Sequence, residues 1–315
     1  MAPRRSRLRD WAEYFAVRTM SWAVEALRED WAIAVVRGLS RLACRLDRRH
    51  RNVAIENLRH AFPGRYSDEQ LQRMVRQVYE HFGLFLMELP LMYRKLHRHN
   101  WQKYAPINEL QRLHEARRTG RPVILTSAHL GVWEMAAYLI ALSGVKMDIV
   151  TRPLDNPHLQ ELSRRFRMRH GHDILNKHGD LNQMRRVLTE GGTVCTVGDQ
   201  DAGPRGLFVN FFGRPASASK AIAHLSRRHN ALIVVLLGYR HGGLMKCAVR
   251  IPDVIDPQDY AGSPDAAQQI TQRLMDGIER VVREDPTQYL WLHRLWKHTP
   301  PAASKKPPTD LSTAA

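Results

Sequence analysis

The chain predicts an α/β fold, a mostly parallel sheet flanked by helices, preceded by an amphipathic helical region at the N-terminus. Three observations carry this expectation. Short apolar runs rich in β-branched residues, at 123–125, 147–150, 193–197 and 231–239, have the length of buried strands. They are continuous rather than alternating, which suits a sheet covered on both faces. The first three are each followed by a segment with helical apolar spacing, the rhythm of β-α units. A length of 315 residues, 43% hydrophobic and 25% charged, allows one large core or two small ones.

Taken in order, residues 1–50 begin with Arg4, Arg5, Arg7 and Arg9 and continue through Trp11, Phe15, Trp22 and Trp31. Charges interrupt this stretch too often for a span of about 20 apolar residues. It reads as helices that either lie in a lipid headgroup layer or pack on the domain behind them. Ser67 and Gln70 stand at the N-cap and capping-box positions of a helix carrying Leu71, Met74, Val75, Val78 and Tyr79. A second helix is expected over 82–93, mainly as core.

Strands are expected at 147–150, 173–175 and 193–197, with helices at 156–170, 181–188 and 218–228 between and after them. Gly191 and Gly192 stop the helix before the 193–197 strand. The run 231–239 reads as the clearest buried strand, 245–251 as an edge strand, and 265–284 as a long closing helix. Residues 299–315 read as a disordered tail.

The chain is organised around 122–134, PVILTSAHLGVWE. Here a strand ends, and ligands of open α/β sheets bind at such ends. If a helix starts near Leu130, Glu134 falls about one turn in and points back at His129. The carboxylate then holds one imidazole nitrogen and leaves the other as a base. With 16 His and 31 acidic residues in the chain, the spacing alone is weak evidence, and the surrounding motifs must support it.

Those motifs are HLGVWE, TRP at 151–153, GDQDAG at 198–203, NFFGRPAS at 210–217 and PTQYLWLHRLWK at 286–297. In this order, from about Arg51 to Lys297, the chain resembles the late acyltransferases of lipid A biosynthesis. These belong to a wider group of glycerolipid-type acyltransferases that share the His-x4-acid dyad. The resemblance implies an acyltransferase domain over 51–298, with His129 as base and Glu134 as its partner. It implies transfer of a fatty acyl chain from acyl carrier protein or coenzyme A to a hydroxyl of a lipid A precursor. A phosphatidylinositol mannoside or a lysophospholipid is the alternative acceptor.

Arg152 matches the arginine of the second motif and would meet an acidic part of a substrate. Asp199, Gln200 and Asp201 match the DQD of the third, and would orient Arg152 or bind acceptor hydroxyls. Arg240, just past the 231–239 strand, is either a phosphate ligand or a solvated strand-end residue. His293 and Arg294 are outside candidates for the headgroup site, and Trp291 and Trp296 read as packing. Phe211 and Phe212 either wall the acyl site or anchor their loop. The family often carries threonines shortly after this point, where Ser217, Ser219 and Lys220 stand here. It also often carries an N-terminal membrane-spanning helix, from which this chain departs.

No cofactor is expected beyond the acyl thioester. No metal is expected either: His170, His172, Asp173 and His178 lie among arginines, a poor setting for a dication. Cys44, Cys195 and Cys247 form neither a disulfide framework nor a metal knuckle. The absence of a GxSxG elbow argues against hydrolase chemistry. A formal charge of +17 calls for an acidic partner. Nucleic acid is the rival of a different class, but no recognition motif accompanies the charge. Anionic membrane lipid, a phosphorylated acceptor and an acidic carrier account for it instead. The expected location is the cytoplasmic face of the inner membrane, peripheral or monotopic.

Overall fold

The architecture is taken from a computed structural model that describes residues 6–105, 109–168, 173–176 and 181–300. His170, His172 and His178, and the tail from 301, lie outside them. Three helices open the chain: α1 (Arg7–Ala26), α2 (Glu29–Leu46) and α3 (Arg48–Ala61). Position 50/51 falls inside α3. The helices expected at 67–79 and 82–93 are one, α4 (Asp68–Lys95), opened by the Ser67–Gln70 capping box with Pro90 inside it. One apolar stripe runs its whole length, so the lost backbone bond at Pro90 is outweighed by packing.

After α5 (Leu110–Arg118) come β1 (Val123–Ser127), α6 (Trp133–Leu142), β2 (Asp148–Thr151) and α7 (Pro157–Met168). Then follow β3 (Asp173–Asn176), α8 (Leu181–Thr189) and β4 (Thr193–Val197). A hairpin, β5 (Leu207–Phe211) and β6 (Arg214–Ala218), leads to α9 (Lys220–His229), β7 (Leu232–Arg240), β8 (Cys247–Ile255) and α10 (Ala266–Val282). The hairpin lies between the strand expected at 193–197 and the helix expected at 218–228, where no element was expected. Phe212 and Gly213 both have positive φ, 54° and 77°, between the paired Phe211 and Arg214, the conformation of a two-residue hairpin turn.

The main sheet has the order β3-β2-β4-β1-β7-β8. Every neighbouring pair is parallel except β7 with β8, the antiparallel edge. Side chains alternate between two apolar layers. Ile124, Val194, Ile233 and Val235 face α8, α9 and α10, while Val123, Leu125, Cys195 and Val234 face α5 and α6. Helix α4 spans the two, with Val75 and Val78 in the first layer and Phe85 and Met92 in the second. Strand β1 is central and wholly buried, so its carboxyl end is a fixed point.

No helix among the described residues is long and apolar enough to cross a membrane. Helices α1 and α2 nevertheless expose large apolar side chains, among them Phe15, Met20, Trp22, Trp31, Leu39 and Leu46. One end of α1 is latched to the domain: Asn156 donates to Asp10 O, and the Trp11 ring lies 3.9 Å from that of His158.

Candidate active site

His129 and Asp199 come together because β1 and β4 are parallel neighbours. The ladder pairs Val123 with Thr193 and Ser127 with Val197, and Gly198 N–H donates to Ser127 O one step further. Each strand then runs two residues on, to His129 and Asp199. Asp199 Oδ1 lies 2.8 Å from His129 Nδ1, and Asp199 Oδ2 accepts the His129 backbone N–H at 2.8 Å. Burial pushes the Asp199 carboxyl up. The His129 charge, two hydrogen bonds from His129 and the adjacent Tyr289 hydroxyl outweigh burial and hold it below the usual carboxylate range. Asp199 is therefore an anion, and it fixes Nδ1 as N–H. The Tyr289 hydroxyl is fully buried beside Asp199.

Glu134, expected beside His129, is paired with Arg167 in this structure. Helix α6 starts at Trp133 rather than Leu130, so Glu134 sits in its first turn and its carboxylate receives Arg167 of α7 at 2.6 Å. The helix cannot start earlier because the backbone of 129–132 is tied to distant segments. His129 O accepts from Leu290 N–H, Gly131 N–H donates to Gln288 O, and Val132 N–H donates to Gly238 O. Gly131 has φ +60°, and a Cβ there would lie 2.0 Å from Gly238 O. Glycine is required at this crossing.

The other expected site residues separate. Arg152, at the end of β2, is exposed, with Asp155 the nearest acid at 3.7 Å. Gln200 lies at the rim, its Nε2 3.3 Å from His293 Nε2. Asp201 turns away to His298 at 2.8 Å and to Gly203 N–H. The Arg240 guanidinium forms a buried two-pronged pair with Glu88. A strand-end arginine is solvated only where nothing covers it, and α4 covers this one. The DQD motif thus contributes one residue to His129 and sends the other two elsewhere.

His293 stands beside His129, ring centroids 5.8 Å apart. Crowding by protein and the charge of His129 hold its pKa below that of a free imidazole. Trp133 packs against His129 at 5.2 Å and stacks on Phe85 at 4.1 Å. Trp291 is fully buried. Phe211 and Phe212 pack against Phe62, Tyr289 and Trp291, which makes them anchors of the loop.

Sequence reasoning missed Asn57, His81, Glu88, Gln288 and Tyr289. Asn57 Nδ2 donates to both Trp291 O and His293 O, at 2.7 and 2.6 Å. These residues hold the loop and the 286–297 segment in place. Gln288 and Tyr289 fall inside the 286–297 motif, whereas Asn57, His81 and Glu88 fall in none of the five motifs. Among the described residues no group of three metal-type side chains gathers. The Cys195 thiol is pushed up to about 12 by burial, which disarms it as a nucleophile.

A family model described as bacterial lipid A biosynthesis acyltransferase matches residues 1–298. The chain is similar to a lipid A biosynthesis lauroyltransferase of Escherichia coli K12, 26% identical over 272 residues and 84% of each chain. It is 26% identical over 262 residues to a lipid A biosynthesis acyltransferase of Haemophilus influenzae, covering 79% of this chain and 78% of that one. It is 24% identical over 301 residues to a lipid A biosynthesis myristoyltransferase of E. coli K12, covering 93% and 89% respectively.

Proposed function

The chain belongs to the bacterial lipid A biosynthesis acyltransferase family, and from that premise we propose that His129 is the general base of an acyl transfer from a thioester to a glycolipid hydroxyl. The observation that carries this is the His129–Asp199 pair at the carboxyl ends of β1 and β4. Nε2 takes the proton of the acceptor hydroxyl as its oxygen attacks the thioester carbonyl, and Asp199 stabilises the imidazolium. Collapse of the tetrahedral intermediate expels the thiolate, which takes the proton back from His129. No covalent enzyme intermediate is needed, because the thioester is already activated.

The donor is an acyl carrier protein or coenzyme A thioester, and the acceptor a lipid A precursor. Exposed Arg152 is suited to an acidic group of either substrate. Helices α1 and α2 lie on the cytoplasmic face of the inner membrane, with their aromatic and aliphatic side chains among the acyl chains and arginines at anionic headgroups.

The test offers purified wild type, His129→Ala and Asp199→Asn labelled acyl carrier protein or acyl coenzyme A with lipid A precursor, a phosphatidylinositol mannoside and a lysophospholipid. Transfer to the lipid A precursor by wild type alone is expected. Undiminished transfer by His129→Ala would remove the base, and labelling of a different lipid would reassign the acceptor. Flotation with anionic but not neutral vesicles is expected; indifference to anionic lipid would refute the membrane placement.

A further inference from the structure

A buried polar chain runs from α4 to the loop that carries His129. Glu88, 1% exposed, receives both prongs of the Arg240 guanidinium and also the Met245 N–H. Arg240 Nε donates to His81 Nδ1 at 3.4 Å, and His81 Nε2 lies 3.1 Å from Gly131 O. The neighbours decide the tautomer. A guanidinium can only donate and a carbonyl can only accept, so His81 is neutral with its proton on Nε2. Burial and the Arg240 charge pull the His81 pKa down to about 4, in agreement.

The same strand end is fixed a second time through Gln288. Its Oε1 accepts the Arg240 N–H and its Nε2 donates to Arg240 O, while its backbone carbonyl accepts Gly131 N–H. The clamps on 129–132 are otherwise made by backbone groups. Among the described residues, the side chains that reach the backbone of this loop are Asp199, at His129 N–H, and His81, at Gly131 O.

From this geometry we propose that His81 is a positioning residue for the acyl transfer, with Glu88 and Arg240 behind it. It holds the Gly131 carbonyl so that the His129 ring keeps its aim, and so acts on turnover rather than on substrate affinity. The inference rests on His129 being the base. Nothing in the chemistry of His81 requires it to touch a substrate, because its two ring nitrogens are both engaged within the protein.

The experiment compares wild type, His129→Ala, His81→Leu and His81→Gln. Leucine keeps the bulk and removes the donor; glutamine returns an N–H near the place of Nε2. His81→Leu is expected to lose turnover by about tenfold to a hundredfold with KM within about twofold, and His81→Gln to regain most of it. Thermal midpoints and the folded fraction at assay temperature are read alongside. Turnover of His81→Leu equal to wild type, or equal losses in both His81 variants that track the folded fraction, would overturn the proposal. An active His129→Ala would instead overturn the base. If neither His81 variant folds, ring 15N resonances of His81 in the wild-type protein decide: the Nε2–H tautomer near pH 7 is required, and the Nδ1–H form or imidazolium refutes it.

Discussion

His129 and Asp199 stand 70 positions apart in the chain and 2.8 Å apart in space, and 70 is also the register of β1 on β4, as in Val123 with Thr193. The pair is the parallel ladder continued two residues beyond its last bridge. Any shift of β4 against β1 would break it, so the geometry of the dyad is as rigid as the centre of the sheet.

Asp199→Asn should lower turnover by on the order of a hundredfold or more, since a neutral amide neither fixes the Nδ1–H tautomer nor stabilises the imidazolium. Steady-state kinetics on folded protein checks this. A loss smaller than threefold would mean that another group orients His129.

Glu134 should act through Arg167. Glu134→Gln, Arg167→Met and the double variant form a cycle in which the double loses little more than either single, with a coupling of about 1 kcal/mol or more. Losses that multiply would show instead that Glu134 influences His129 independently of the ion pair.

Gly131→Ala and Gly238→Ala should each destabilise the protein by roughly 2 kcal/mol or more in denaturant titration. At Gly131 the added methyl meets Gly238 O at 2.0 Å in a left-handed conformation; at Gly238 it meets the Ala136 Cβ at 2.7 Å. Unchanged midpoints would mean that the loop slides to make room, and the loop would then be less fixed than its hydrogen bonds indicate.

Asn57→Ala removes the donor to two carbonyls of the 286–297 segment. At about 1–3 kcal/mol for each buried acceptor left unpaired, the denaturation midpoint should fall clearly. Activity should fall with it, because Leu290 N–H from that segment holds His129 O.

Acid should weaken the fold through His81. Its folded pKa of about 4 lies below an unfolded value of about 6.5, so between those limits the unfolded chain binds the extra proton. The associated stability is fully present above about pH 6.5 and is lost as pH falls toward 4, on the order of 3 kcal/mol in all. His81→Gln should flatten this part of the stability profile measured by denaturant titration at stepped pH; an unchanged slope would assign it to other groups.

The strands of the sheet were legible in the sequence because a run such as Val123–Ser127 or Leu232–Arg240 is apolar on both faces, a local property. The start of α4 was legible for the same reason, since a capping box is complete within four residues. The motif around His129 identified the family and its chemistry. The partner of His129 was not legible. Glu134 is the acid near His129 in sequence, but 129–132 is kept out of the helix because Gly131 and Val132 N–H donate to Gln288 O and Gly238 O while Leu290 N–H donates to His129 O. The strand register then supplies Asp199. Arg240 was misplaced for a related reason: from the chain alone a strand end looks open, and only the path of α4 reveals that Glu88 closes it. Local composition thus determined the strands and the first helix turns, and the ordered motifs the family. Which acid stands against the His129 ring depended on the pairing of β1 with β4, segments 70 residues apart, and that pairing exists only once the sheet has formed.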